Sequence, residues 1–234
     1  TRCSRDWSSD VCSSDLLDAI YNTQLHSDHC GGNRILQEHY PKAHAAVPAA
    51  ELHRVKRWDK TTLSFDATGQ RCDPFRADEG VQPGQTLRLG GMDWSVLFAP
   101  GHHPYSYVLF CEQHGILISA DALWEKGFGL IFPALDSYAG FPETRDTLDM
   151  IEALDVRIVI PGHGRPFTEV QEAIEAAHSR IRYLEADPLR NAQNSIKVLF
   201  KFMLMDKQRI KLCDVPQIIS KIPLIQSANR RYMN

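Results

Sequence analysis

The chain has 234 residues, 43% of them hydrophobic, with 26 basic and 29 acidic side chains and a net charge of −3. That length allows one medium domain with an appendage and a sizeable buried core. The near-balanced charge excludes a broad nucleic-acid footprint, and no apolar run reaches membrane-spanning length. Residues 1–16 show no hydrophobic period. Within them Asp6–Leu16 (DWSSDVCSSDL) resembles the translation of a sequencing-library adapter, so the stretch is read as a non-native leader. Cys3 and Cys12 fall in that leader. Cys30, Cys72, Cys111 and Cys213 are widely spread with no CxxC pair, which is neither a disulfide framework nor a zinc knuckle. A reducing, cytoplasmic compartment is the default expectation.

In chain order, Leu17–Tyr21 (LDAIY) is a strand that leads into Asn22–Asn33, NTQLHSDHCGGN. This loop brings His26, Asp28 and His29 within four residues of one another. In an extended loop, residues two apart face the same side, so His26 and Asp28 are expected to line one wall. Cys30 is read as a small buried residue. Arg34–Tyr40 has a helical pattern ended by Pro41, Ala43–Val47 is a short strand, and Pro48–Trp58 is helical with Leu52 and Val55 on one face. His39, His44 and His53 are read as surface residues. Asp59–Gly84 lacks a period and is expected to be a long loop, with Trp58, Phe65 and Phe75 either reaching over a pocket or packing on the sheet. Thr86–Leu89 and Met92–Phe98 form a hairpin around Gly90-Gly91. Tyr107–Cys111 and Ile116–Ser119 form a second. Between the hairpins stands His102, in a loop stiffened by Pro100 and Pro104, with His103 beside it pointing away and given no metal role. Ala122–Phe132 is an irregular loop, and its Trp124 and Phe128 are candidate walls of a substrate pocket. Phe141–Leu154 is a helix and Val156–Ile160 a buried strand. Thr168–Ala186, Leu189–Met205 and Asp214–Lys221 are helices. The mixture of strands and helices predicts an α/β sandwich with a small C-terminal helical segment.

Three apolar runs each finish in one metal-ligand type of residue: APGH at His102, LISAD at Asp121 and VIPGH at His163. Together with the HSDH loop, this order resembles the metallo-β-lactamase superfamily, whose signature is HxHxDH, a Gly-His, an Asp and a late Gly-His, each after a strand. The resemblance runs over Leu17–Phe167 and its motif order is like that of glyoxalase II. It implies an αββα sandwich with a catalytic domain at 17–186 and a helical, winged-helix-like segment at 187–234. It also implies a first metal position formed by Gln24, His26 and His102, and a second formed by Asp28, His29 and His163, with Asp121 bridging them. Gln24 departs from the pattern, which has histidine there, and an amide oxygen binds zinc more weakly than imidazole does. Relatives carry several strands ahead of the HxHxDH loop where this chain has only Leu17–Tyr21, so exposed sheet edges and instability are expected.

The resemblance implies hydrolysis of an ester, thioester, lactone or amide, with thioester favoured. Up to two zinc ions, with iron or manganese as alternatives, would acidify a bound water to give hydroxide near neutral pH. Asp28 and Asp121 would be the catalytic carboxylates. No GxSxG motif offers a competing serine nucleophile. The expected partner is a small-molecule substrate, with no nucleic acid and no membrane; a homo-oligomer is left open. Two other classes stand beside this reading. One is a mononuclear iron dioxygenase of the persulfide type, built on His26, His102 and Asp121. The other is a non-catalytic metal-binding descendant.

Overall fold

The structure is a computed structural model that describes residues 16–131 and 140–232. Its first strand, β1 (Ala19–Tyr21), pairs in parallel with β2 (His44–Pro48), which pairs in parallel with β3 (Glu79–Val81). A second sheet runs in the order β4 (Thr86–Leu89), β5 (Met92–Phe98), β6 (Tyr107–Cys111), β7 (Ile116–Ala120), β8 (Ile158–Pro161). The first four of these are antiparallel neighbours, and β8 lies parallel to β7. Gly90 and Gly91 both have positive φ (59° and 76°), the geometry a two-residue hairpin turn needs between Leu89 and Met92.

Strand β6 shows why the two sheets stack. All five of its residues are buried, and the period of two divides them between two cores. Tyr107, Leu109 and Cys111 face the small sheet and meet Ala46 and Val81 there. Val108 and Phe110 face the other way, onto α5 (Phe141–Glu152) and α6 (Val170–Glu185), where Leu148, Ile151, Ile174 and Ile181 are at most 1% exposed. The far face of the small sheet is covered by α3 (Leu52–Arg57), through Val47 and Val55. The result is an αββα sandwich, the expected architecture.

Local differences have physical causes. Ser27–Cys30 is a helical turn, α1, with only His26 extended (φ −72°, ψ 150°), so the wall expected from an extended loop gives way to donors projecting from a helix start. Helix α2 (Asn33–His39) follows. The stretch expected as one long loop holds α4 (Phe65–Thr68) and β3, and buries Leu63, Phe65 and Phe75. Trp58 stacks on Phe65 at 5.9 Å and meets Phe75 edge-on at 5.4 Å, so these rings pack beneath the loop rather than over a pocket. Their anchors are too far apart in sequence to show a period. At the C-terminal side stand α7 (Pro188–Lys207), α8 (Val215–Ile219) and α9 (Pro223–Tyr232), the last beyond the expected elements. Among the described residues this segment has no strand, hence no wing. Phe132, the last residue of the irregular loop, and the leader's Cys3 and Cys12 lie outside the described residues. No helix among those described is long and apolar enough to cross a membrane.

Candidate metal centre

The topology explains why residues distant in sequence share one place. Because β5, β7 and β8 run in the same direction, their C-terminal ends lie at one edge of the large sheet. His102 follows β5, Asp121 follows β7 and His163 follows β8. The loop after β1 is pinned to that edge where Tyr107 N–H donates to the Thr23 carbonyl at 3.1 Å. Asn33 and Asn22 bracket the loop through a side-chain hydrogen bond of 2.6 Å.

All six expected ligands meet at this edge. Asp28, His29, Asp121 and His163 form one group, and His26, His102 and Asp121 another, each with candidate ligand atoms within 4.8 Å of one another. Asp121 Oδ2 is the common point: His29 Nε2 lies 2.9 Å from it and His102 Nε2 3.1 Å. His163 Nε2 lies 3.1 Å from Asp28 Oδ2 and 3.6 Å from Asp121 Oδ1. His26 Nδ1 faces His102 Nε2 at 2.8 Å. On the far side of its ring, His102 Nδ1 donates to the Leu130 carbonyl, which fixes the ring with Nε2 toward the cluster. Imidazole nitrogens and carboxylate oxygens so close together, several of them buried, are the donor set of a divalent cation such as zinc, iron or manganese.

Gln24 sits inside this constellation, fully buried. Its Nε2 donates to Asp121 Oδ2 at 2.7 Å, and its Oε1 has no hydrogen-bond partner. His26, His102 and Asp121 group without Gln24, whose amide instead occupies Asp121 Oδ2. Turning the amide over would set its oxygen against the carboxylate, which repulsion forbids.

Electrostatics tie the cluster together. Burial opposes the Asp121 carboxylate, but hydrogen bonds with His102 and His29 outweigh it and hold its pKa well below the usual range. Burial, together with the neighbouring His102 and His103 imidazoles, pushes His26 well below the ordinary histidine value. The Asp28 hydrogen bond raises His163.

Several contributors are not evident from motifs alone. Ala120 adopts a left-handed backbone (φ 48°), uncommon for a residue with a side chain, just before Asp121. Its carbonyl accepts from Gly162 N–H at 2.6 Å, which locks the Asp121 and His163 loops together. A Cβ on Gly162 would stand 2.7 Å from Asp121 Oδ1, and one on Gly129 2.6 Å from His102 Cγ. Both positions admit only hydrogen. His103, expected to point away from His102 and given no metal role, is buried: its Nε2 lies 3.5 Å from Glu51 Oε1, its ring packs edge-on against His26 at 4.9 Å, and it belongs to neither ligand group. A buried glutamate three residues after Pro48 had no motif to signal it. Of the two pocket candidates, Trp124 is at the centre: its Nε1 donates to Asp121 Oδ1 at 3.1 Å and its ring meets His163 at 5.2 Å. Phe128 is 5% exposed and belongs to the helix-side core, so that expectation is corrected to packing.

Comparison with known proteins agrees. A hydroxyacylglutathione hydrolase of Synechococcus sp. (strain JA-2-3B'a(2-13)) is 31% identical over 116 residues, 50% of this chain and 38% of the relative. A human acyl-coenzyme A thioesterase is 27% identical over 159 residues, 62% of this chain and 55% of that protein. The chain thus spans only about two fifths to just over half of these relatives. Among solved structures, a metallo-beta-lactamase family protein of Thermus thermophilus superposes with a TM-score of 0.58 at 21% identity, covering 91% of this chain and 74% of that one. The family model of the metallo-beta-lactamase superfamily matches residues 16–163, from β1 to the last histidine of the cluster, and this chain belongs to that superfamily.

Proposed function

We propose that this protein is a metal-dependent hydrolase that cleaves an ester or thioester, with lactones and amides as the wider substrate range and the thioester as the favoured member. The observation that carries the reading is the convergence of four imidazoles and two carboxylates on Asp121 Oδ2 and its surroundings. A bound divalent cation, zinc being the expected one, would supply acidified water and Lewis-acid polarisation of the substrate carbonyl. His26, His102 and Asp121 would hold one ion; Asp28, His29, His163 and Asp121 would hold a second. Asp28 is the candidate proton acceptor. Its Oδ2 is 3.1 Å from His163 and 3.8 Å from His29, and its side chain is partly exposed, so it can orient a water and take its proton. Trp124 forms the rim beside His163. Next to Asp28 opens a cavity of about 330 Å³ with one apolar wall of Leu199, Phe202, Met203 and Ile218, which could receive an acyl group, and a polar wall that includes Arg71, Asp206 and Lys207. The named activities of the relatives support the acyl-transfer class.

A mononuclear iron oxygenase would need only His26, His102 and Asp121 and would leave Asp28, His29 and His163 idle at the same centre. The hydrolase reading uses all six.

The test is reconstitution with zinc, manganese or ferrous iron, followed by a thioester, ester, lactone and β-lactam panel. Hydrolysis that depends on added metal and is lost in Asp28→Asn and Asp121→Asn is the expected result. A folded, metal-loaded protein that hydrolyses none of them, or that consumes oxygen with iron bound, overturns the proposal.

A further inference from the structure

Cys30 and Cys72 are 42 positions apart in sequence, yet their sulfurs lie 3.7 Å apart. Cys30 directly follows His29 and is fully buried, with its Sγ donating to the His26 carbonyl at 3.3 Å. Cys72 is partly exposed. It lies in residues 70–78, which form neither helix nor strand. A second contact sets the register of the two segments: Ser27 N–H donates to Gln70 Oε1 at 3.2 Å. Widely spaced cysteines without a CxxC motif gave no sign of this pairing.

We propose that Cys30 and Cys72 form an oxidative modification site that closes to a reversible disulfide, tying the loop of His26, Asp28 and His29 to the 70–78 segment. A disulfide needs a sulfur–sulfur distance of about 2.05 Å, so closure requires a shift of roughly 1.7 Å. That shift falls on Cys72, whose backbone is bound into no ladder, rather than on Cys30 in its helical turn.

The oxidant is a two-electron acceptor of the peroxide class. Cys72 is the attacking residue because it alone of the two is open to solvent; its hydrogen bond with Cys30 also lowers its pKa. Its sulfur attacks one oxygen of hydrogen peroxide, the O–O bond breaks, and water leaves, giving a sulfenic acid. The Cys30 sulfur then attacks the Cys72 sulfur. The S–O bond breaks, and a second water carries away the sulfenic oxygen with the Cys30 proton. Two thiols lose two electrons in total, and one peroxide becomes two waters. The product replaces the weak Sγ contact with the His26 carbonyl by a covalent strap across the ligand loop.

The test is brief exposure of the whole chain to hydrogen peroxide, alkylation of the remaining thiols, and non-reducing peptide mapping. Fragmentation must separate Cys30 from Cys12, since no lysine or arginine lies between them. The expected product is a Cys30–Cys72 linked peptide that dithiothreitol reverses. In Cys72→Ser, Cys30 stays reduced under the same exposure. In urea the preference should vanish: chain statistics then favour the roughly 18-residue Cys12–Cys30 loop over the 42-residue one by about three- to fourfold. The proposal is overturned if Cys72 ends as sulfinic acid without a link, if neither thiol reacts, or if the folded chain gives the pairings seen in urea.

Discussion

Replacing Gln24 by histidine probes the centre at its point of departure from the superfamily pattern. Asp121 Oδ2 is bound to the Gln24 amide at 2.7 Å, in a site where both residues are buried. A cation that takes this oxygen at the first position must displace that amide. A hydrogen bond to a charged group contributes about 1.5–3 kcal/mol, which corresponds to roughly 10–100-fold in affinity. Gln24→His removes the competitor and adds a third imidazole beside His26 and His102. The variant should therefore bind its weaker metal equivalent at least about tenfold more tightly. Stability of the metal-free protein should change little, because the lost bond is offset by removal of the unpartnered Oε1, itself a burden of about 1–3 kcal/mol. Competition against a chromophoric chelator gives the affinity, and elemental analysis after dialysis gives the stoichiometry. Gln24→Met separates the two contributions, since it releases Asp121 without supplying a ligand and should recover only part of the gain. Equal stoichiometry and equal affinity in the Gln24 protein and its Gln24→His variant would refute the reasoning.

Four other outcomes follow from the geometry. Gly162→Ala sets a methyl 2.7 Å from Asp121 Oδ1 and 2.9 Å from His29 Cε1, so thermal melts should show about 1–3 kcal/mol of destabilisation and elemental analysis a fall in bound metal; full metal content would contradict it. Trp124→Phe removes the 3.1 Å bond to Asp121 Oδ1, a competitor of the kind Gln24 is at Oδ2, and should tighten metal binding in the chelator competition with little loss of stability. Phe128→Ala should do the reverse, costing about 3–5 kcal/mol in urea unfolding while leaving metal affinity unchanged. Glu51 makes the pH test. Burial, partly countered by Arg54, raises its pKa from 4.5 to about 7. The folded protein therefore holds a proton that the unfolded chain has released between those values, and its stability falls as pH rises from 4.5 to 7. The full effect is about 3 kcal/mol. Glu51→Gln should gain up to that amount at about pH 8 and none at about pH 4; an unchanged pH slope in urea titrations counts against it.

What was legible in the sequence, and what was not, divides along physical lines. A ligand that terminates a buried strand is visible twice, as a residue type and as the end of an apolar run. That is why His102, Asp121 and His163 could be read together with β5, β7 and β8. The hairpin at Gly90-Gly91 was legible because its backbone angles restrict the residue choice. Features that depend on contacts between distant segments had no such signature. The Trp58, Phe65 and Phe75 cluster hides in a stretch without period, since each ring is delivered by a different local conformation. Glu51 and His103 resemble surface residues until α3 and the His102 loop enclose them.

The same division bears on the centre itself. Motif order specifies which donors arrive, but not which atom each presents. Motif order left open which atom Gln24 presents, and Asp121, its acidity raised by His29 and His102, draws the amide nitrogen. An ionised carboxylate only accepts, so it draws donor atoms to both of its oxygens, Gln24 Nε2 to Oδ2 and Trp124 Nε1 to Oδ1. Substituting one ligand for a neutral amide therefore does more than subtract a ligand. It turns the position from a competitor for the cation into a competitor for the cation's own carboxylate. On the proposed two-ion reading the positions would be unequal, with the one formed by Asp28, His29 and His163 the tighter. Its test is stepwise loading: the first equivalent of metal should broaden or shift the His29 and His163 ring signals in NMR before those of His26, and the opposite order would reverse the ranking.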